Sequence, residues 1–129
     1  MGTTGISSDS TQRLFVKAFA SSLASPWYKY FLEFDPQVYL AKLSCRVLAL
    51  NGDKDLQVIS ASNLAAIRQA LQQSRSRGYE VRELPGLNHL FQSCKKCTLA
   101  EYGQLEESFS PSVLAIMTKW LKQNVSRSP

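Results

Sequence analysis

His89 is the only histidine of the chain and sits in "LPGLNHLFQ", the stretch from Leu84 to Gln92. Imidazole is the side chain whose ordinary titration lies nearest neutral pH, so it is the first candidate for moving a proton. A histidine base needs an acid that orients it and a nucleophile that it serves. Two acids stand upstream in "NGDKDLQV", Asp53 and Asp55. Each also has a plain reading. A carboxylate in a glycine loop often bonds only the backbone N–H groups of its own turn, and a histidine after an asparagine can do the same.

The nucleophile is harder to place. A serine nucleophile on a strand-to-helix elbow reads G-x-S-x-G, and none of the chain's six glycines brackets a serine that way. The nearest approach is "GISSD", where Gly5 stands two before Ser7 but Asp9 stands two after it, and only "MGTT" precedes it. An elbow needs a buried strand leading into it, and that stretch offers none. Cys45 is expected to begin a strand rather than end one. "CKKC", Cys94 to Cys97, is compatible with a redox pair, half of a zinc site, a local disulfide or two free thiols. A redox motif normally opens a helix after a strand, and zinc wants about four ligands where only Cys45 and His89 remain. The plain structural reading therefore ranks first, and neither a metal nor a cofactor is expected.

These residues are positioned by a short series of elements. Three helix starts pair a capping residue with proline at the first helical position: Ser25-Pro26, Asp35-Pro36 and Ser110-Pro111. Ahead of them, Phe15, Phe19 and Leu23 fall four apart and predict a helix over 12–23. "SPWYKYFLEFDP" is dense in aromatics and predicts one short helix. "CRVLALNG" reads as a strand buried on both faces. Ser60 to Ser74 reads as a helix with Leu64, Ile67 and Leu71 on one face, stopped by Gly78. "YEVRELP" is a second strand, and Pro111 to Gln123 a last helix that should cover one face of the sheet. Strand, helix, strand is a βαβ unit, so the two strands are expected to be parallel. Parallel strands carry their chemistry at their carboxyl ends. That places an aspartate from the first loop and His89 from the second on one edge of the sheet, in the order Asp then His.

With these motifs in order, the chain resembles the C-terminal part of an α/β-hydrolase. It is most similar to bacterial serine hydrolases related to acyl esterases and to the serine aminopeptidase and prolyl oligopeptidase groups. The resemblance rests on "SPWYKYFLEFDP", "VLALNGDKDLQV", "LPGLNHLFQ" and "AEYGQLEESFSP", and runs from Ser25 to Lys122. It implies a partial α/β-hydrolase fold: the last two parallel strands, their flanking helices, and lid-like helices at the N-terminus. It implies that Asp55, three residues after Gly52, is the triad acid and that His89 is the base, while Asp53 is a loop residue. Trp27, Phe31 and Phe91 become substrate-pocket candidates, although aromatic helices more often simply pack. The substrate would be a carboxylic ester or amide, once an N-terminal segment supplies the nucleophile. Two other readings stand beside this one: a non-catalytic interaction or structural module derived from the hydrolase fold, and an enzyme that uses Asp55 and His89 differently.

Composition bounds the partners. The 129 residues are 44% hydrophobic and 19% charged, enough for one folded domain. Residues 1–10 are expected to be a flexible N-terminus, 11–125 the domain and 126–129 a tail. The net charge of +5 and pI near 9.3 invite a nucleic-acid reading, but the charges are scattered and no aromatic-basic platform accompanies them. Nucleic acid is not expected as a partner. No stretch could span a membrane, the N-terminus lacks a signal-peptide pattern, and Ile6 breaks a myristoylation pattern. Nothing names a compartment. One exposed sheet edge is expected to favour self-association.

Overall fold

The computed structural model describes residues 8–125. Ser7, most of the expected flexible N-terminus and the 126–129 tail lie outside the described residues. The chain divides into two compact units, 1–35 and 36–129.

The first unit holds two helices, α1 over Ser8–Leu23 and α2 over Pro26–Glu33. Ser25 caps α2 as its sequence predicts: its Oγ accepts the N–H of Tyr28 at 3.2 Å, and Pro26 occupies the first turn. Trp27 and Phe31, one helical turn apart, stack with centroids 5.6 Å apart and planes within 10°.

The second unit is α/β. In chain order it contains α3 (Gln37–Leu40), β1 (Val47–Gly52), α4 (Ser60–Gln72), β2 (Tyr79–Leu84), a 3-10 helix (Leu99–Gln104) and α5 (Pro111–Val125). β1 and β2 form a two-stranded parallel sheet in which Val47 pairs with Tyr79 and Gly52 with Leu84. The alternation of a strand sends Asn51 toward α4 and Leu48 and Leu50 toward α5. On the α4 side, Leu64, Ala70 and Leu71 are buried. Leu71 alone is worth about 1.5–3 kcal/mol of apolar burial. On the other side, Leu84, Leu87 and Val113 form the core, with Leu50, Phe91, Phe109 and Ile116 packed around them.

Several local expectations are corrected. β1 is only half-buried until Asn51 and Gly52, so it is not covered on both faces. Val113 and Ile116 bring α5 against the strand ends, but beyond them α5 stands off β1. Leu48, Leu50, Phe91, Met117, Trp120 and Leu121 line an apolar groove of about 610 Å³ between the two elements. α4 ends before Gly78: the N–H groups of Gln73 and Ser74 bond back to Ala70 and Leu71 and tighten the last turn. α3 is a single turn that begins one residue late, with Pro36 rather than Asp35 at its N-cap. Ser110 is buried before α5, but its Oγ pairs with Ser112 Oγ at 2.8 Å instead of a helical N–H. No helix among the described residues is long and apolar enough to cross a membrane.

Candidate functional site

The two loops at the carboxyl ends of the strands are laced together before any side chain does chemistry. Asp53 N–H donates to the Leu84 carbonyl at 3.0 Å and Lys54 N–H to the Leu87 carbonyl at 3.0 Å. Asp53 closes the lacing from its side chain, its Oδ1 accepting the Gly86 N–H at 2.6 Å and its Oδ2 pairing with Lys54 Nζ at 3.0 Å. The Lys54 hydrogen bond, against some loss of hydration, holds the Asp53 carboxyl below its ordinary range, with the Gly86 N–H assisting. Asp53 is thus a loop fastener, as its place in the sequence suggests.

Asp55 turns the other way. Its Oδ1 accepts the N–H groups of Gln57 and Val58 at 2.8 and 2.9 Å, which fixes the carboxylate in the turn that follows β1. Its Oδ2 lies 2.9 Å from His89 Nδ1 and accepts Asn51 Nδ2 at 3.1 Å. Burial is the largest influence and opposes ionisation. The bonds from Val58, His89 and Gln57 together outweigh it and hold the Asp55 carboxyl below its ordinary value. An ionised Asp55 can only accept, so His89 Nδ1 carries a hydrogen, and in the neutral imidazole the lone pair is then on Nε2. The Asp55 side chain is 5% exposed and the imidazole 38%, so a buried carboxylate holds a half-exposed ring. Among the described residues Nε2 has no hydrogen-bond partner.

Asparagines that sequence reasoning passed over build this arrangement. Asn63 on α4 donates to Asn51 Oδ1 at 2.7 Å, leaving the Asn51 amide free to donate to Asp55. Asn88 is completely buried, and its Oδ1 accepts the N–H groups of Leu90 and Gln92 at 2.9 and 3.0 Å. Its Nδ2 donates to Gln92 Oε1 at 2.9 Å. Phe91 accordingly takes a left-handed backbone, φ 56°, at the tight point of the turn. Gln92 is buried too and spends its amide on the carbonyls of Tyr102 and Glu107, at 3.3 and 2.9 Å. The signal available in the sequence was polarity at a strand end and beside the histidine, where an apolar residue or a glycine would otherwise serve.

The expected pocket residues are divided between the two units. Phe91 packs on Phe109 with centroids 5.5 Å apart and lines the apolar groove. Trp27 and Phe31 belong to the 1–35 unit. Cys94 and Cys97 are joined in a disulfide, and Cys45 is free and exposed. Among the described residues no cluster of three or more His, Cys, Asp or Glu side chains could hold a metal ion. Comparison with protein-family models, with curated proteins and with solved structures finds no match to this chain.

Proposed function

We propose that this chain supplies the acid and the base of a serine-hydrolase triad acting on carboxylic esters or amides. The observation that carries the reading is the Asp55 Oδ2–His89 Nδ1 contact of 2.9 Å, with Nε2 unpartnered among the described residues and the ring half-exposed. In this role Nε2 takes the proton of a serine hydroxyl as it attacks the acyl carbon, and returns it to the leaving group. Asp55 holds the required tautomer and stabilises the imidazolium that forms. The nucleophile and its oxyanion donors come from a separate segment that docks beside β1. In the same proposal the fold is the C-terminal portion of an α/β-hydrolase with lid-like helices at its N-terminus, and Trp27 and Phe31 are substrate-pocket candidates.

Mixing or fusing the chain with an N-terminal hydrolase segment that carries a G-x-S-x-G elbow is expected to give esterase activity. That activity should disappear with His89→Ala. A correctly folded fusion that is inert, or one indifferent to His89→Ala, overturns the proposal.

A second reading, a non-catalytic interaction module, is favoured by the apolar surface of α2. Trp27, Tyr30, Phe31 and Leu32 are each more than half exposed there, a density that marks contact surfaces. Failure of the fused protein to hydrolyse esters, together with retained folding, would bring this reading forward.

A further inference from the structure

The Cys94–Cys97 disulfide does not stand apart from the histidine turn. Ser93 and Leu87 form an antiparallel bridge, and Cys94 N–H donates to the Gly86 carbonyl at 3.2 Å. Gly86 and Leu87 are in turn the residues that Asp53 and Lys54 hold from the opposite side. The stretch that leads into His89 is therefore gripped between the acid loop and the disulfide loop.

The disulfide loop has its own fastening. The buried Glu101 carboxylate accepts the N–H groups of Lys95, Lys96 and Cys97 at 3.2, 3.0 and 2.6 Å, one acceptor for the whole ring. Cys97 is held at φ 57°, a left-handed conformation that a non-glycine residue adopts only where its surroundings impose it. Both sulfur-bearing residues are half-exposed and the two lysines between them are exposed, so an attacking thiolate has access and finds positive charge beside its target.

We infer that Cys94–Cys97 is a thiol–disulfide exchange site whose oxidised form keeps the 86–94 segment, and with it His89, in register with Asp55. The co-reactant is a dithiol. One of its thiolates attacks a sulfur of the Cys94–Cys97 bond, which breaks, and a mixed disulfide forms while the displaced cysteine leaves as a thiolate and takes up a proton. The second thiol of the reductant then attacks the mixed disulfide. The reductant departs oxidised by two electrons, and the protein retains two thiols. With the ring open, Cys97 is released from its left-handed backbone and the three N–H groups on Glu101 are no longer held as a set. Ser93 and Cys94 then grip Leu87 and Gly86 less firmly. The inference concerns the position of His89 and holds whatever that imidazole does.

The test compares the full chain, carrying Cys45→Ser to remove the third thiol, before and after treatment with dithiothreitol, and again after reoxidation. Amide exchange and the ¹⁵N resonances of the His89 ring are read in each state. Reduction is expected to raise exchange of the 86–94 amides by about 10-fold or more while α4 stays protected. It should also move the ring resonances away from a pure Nδ1–H tautomer, and reoxidation should restore both. The Cys94→Ser/Cys97→Ser double variant should match the reduced state. Unchanged exchange and ring signals on reduction overturn the inference. So does global unfolding on reduction, which would make the disulfide a staple for the whole fold, and so does a disulfide that does not re-form.

Discussion

Gly52, the last residue of β1, lies directly under the backbone of Leu87: a Cβ at position 52 would stand 2.1 Å from the Leu87 carbonyl oxygen and 2.9 Å from that of Asn88. The glycine of the "NGDKD" loop is thus required by the close approach of the histidine loop rather than by an unusual φ. The atoms it would meet are backbone, which cannot swing aside.

Gly52→Ala is expected to cost about 1–3 kcal/mol or more, since relief must come from moving the 87–88 segment as a whole. Urea unfolding with fluorescence detection measures the loss, and ¹⁵N spectra should show the displacement concentrated at residues 84–92. A variant as stable as the parent would contradict the packing described for the two loops.

Asp55→Asn should change the imidazole before it changes the fold. An amide can present N–H to Nδ1, so His89 would shift its proton to Nε2 and lose the outward lone pair. Ring ¹⁵N shifts of the isolated chain report this without any substrate. In a complemented enzyme the same substitution is expected to lower kcat by about 10⁴-fold, and Asp53→Asn by far less. The reverse order of sensitivity would move the acid to Asp53.

Acid should weaken the fold through carboxylates that the loops have stabilised as anions. The ordinary value for Asp55 is 3.8, and hydrogen bonding lowers it in the folded chain despite burial; Asp53 shifts the same way, led by its Lys54 contact. Glu101 and Glu107, ordinarily 4.5, are lowered chiefly by the N–H of Lys96 and of Ser93. Below these ordinary values the unfolded chain takes up protons that the folded chain still refuses, so stability falls as pH falls and is lost through the folded values. Urea midpoints should therefore decline from about pH 4.5 downward, and at about pH 6–7 the stabilisation from these groups should be fully present and no longer change with pH. Asp55→Asn should flatten the part of the decline below 3.8. A midpoint indifferent to pH across that range would contradict the hydrogen bonding described.

Association is expected of the isolated chain. Among the described residues, β1 and β2 pair only with each other, and the face of β1 toward α5 opens into an apolar groove. Unpaired edges and uncovered apolar surface both favour contact between copies. Sedimentation velocity should show dimers or larger species that increase with concentration. A monodisperse monomer that unfolds in one cooperative step would instead mark a self-sufficient core.

The βαβ order was legible because strand and helix periodicities alternate cleanly between Val47 and Leu84, and parallel pairing follows from the helix between them. That same topology was enough to bring Asp55 and His89 to one edge. The helix ends were less legible. Ser25-Pro26 caps as read, whereas the similar Ser110-Pro111 turns its hydroxyl to Ser112, because an Oγ has more than one acceptor and donor within reach. Gly78 looked like a helix stop but serves the entry to β2, its carbonyl accepting the Val47 N–H at 3.1 Å, and the helix had already closed on itself at Gln73. The asparagines around the site were illegible for a different reason. Asn51, Asn63 and Asn88 act through partners 4 to 12 residues away, and no spacing rule distinguishes such a contact from a solvated turn.

The two oxygens of Asp55 answer to different parts of the molecule. Oδ1 is tied to the backbone that leaves β1, and Oδ2 faces an amide and an imidazole. A carboxylate anchored in this way cannot follow the ring if the histidine turn drifts; it behaves as a fixed post against which the ring is measured. Any displacement of residues 86–92 must then appear as a change in the His89–Asp55 separation, while rigid motion of the whole unit leaves it untouched. The pair is a built-in gauge of one turn, and the proton on Nδ1 is its reading.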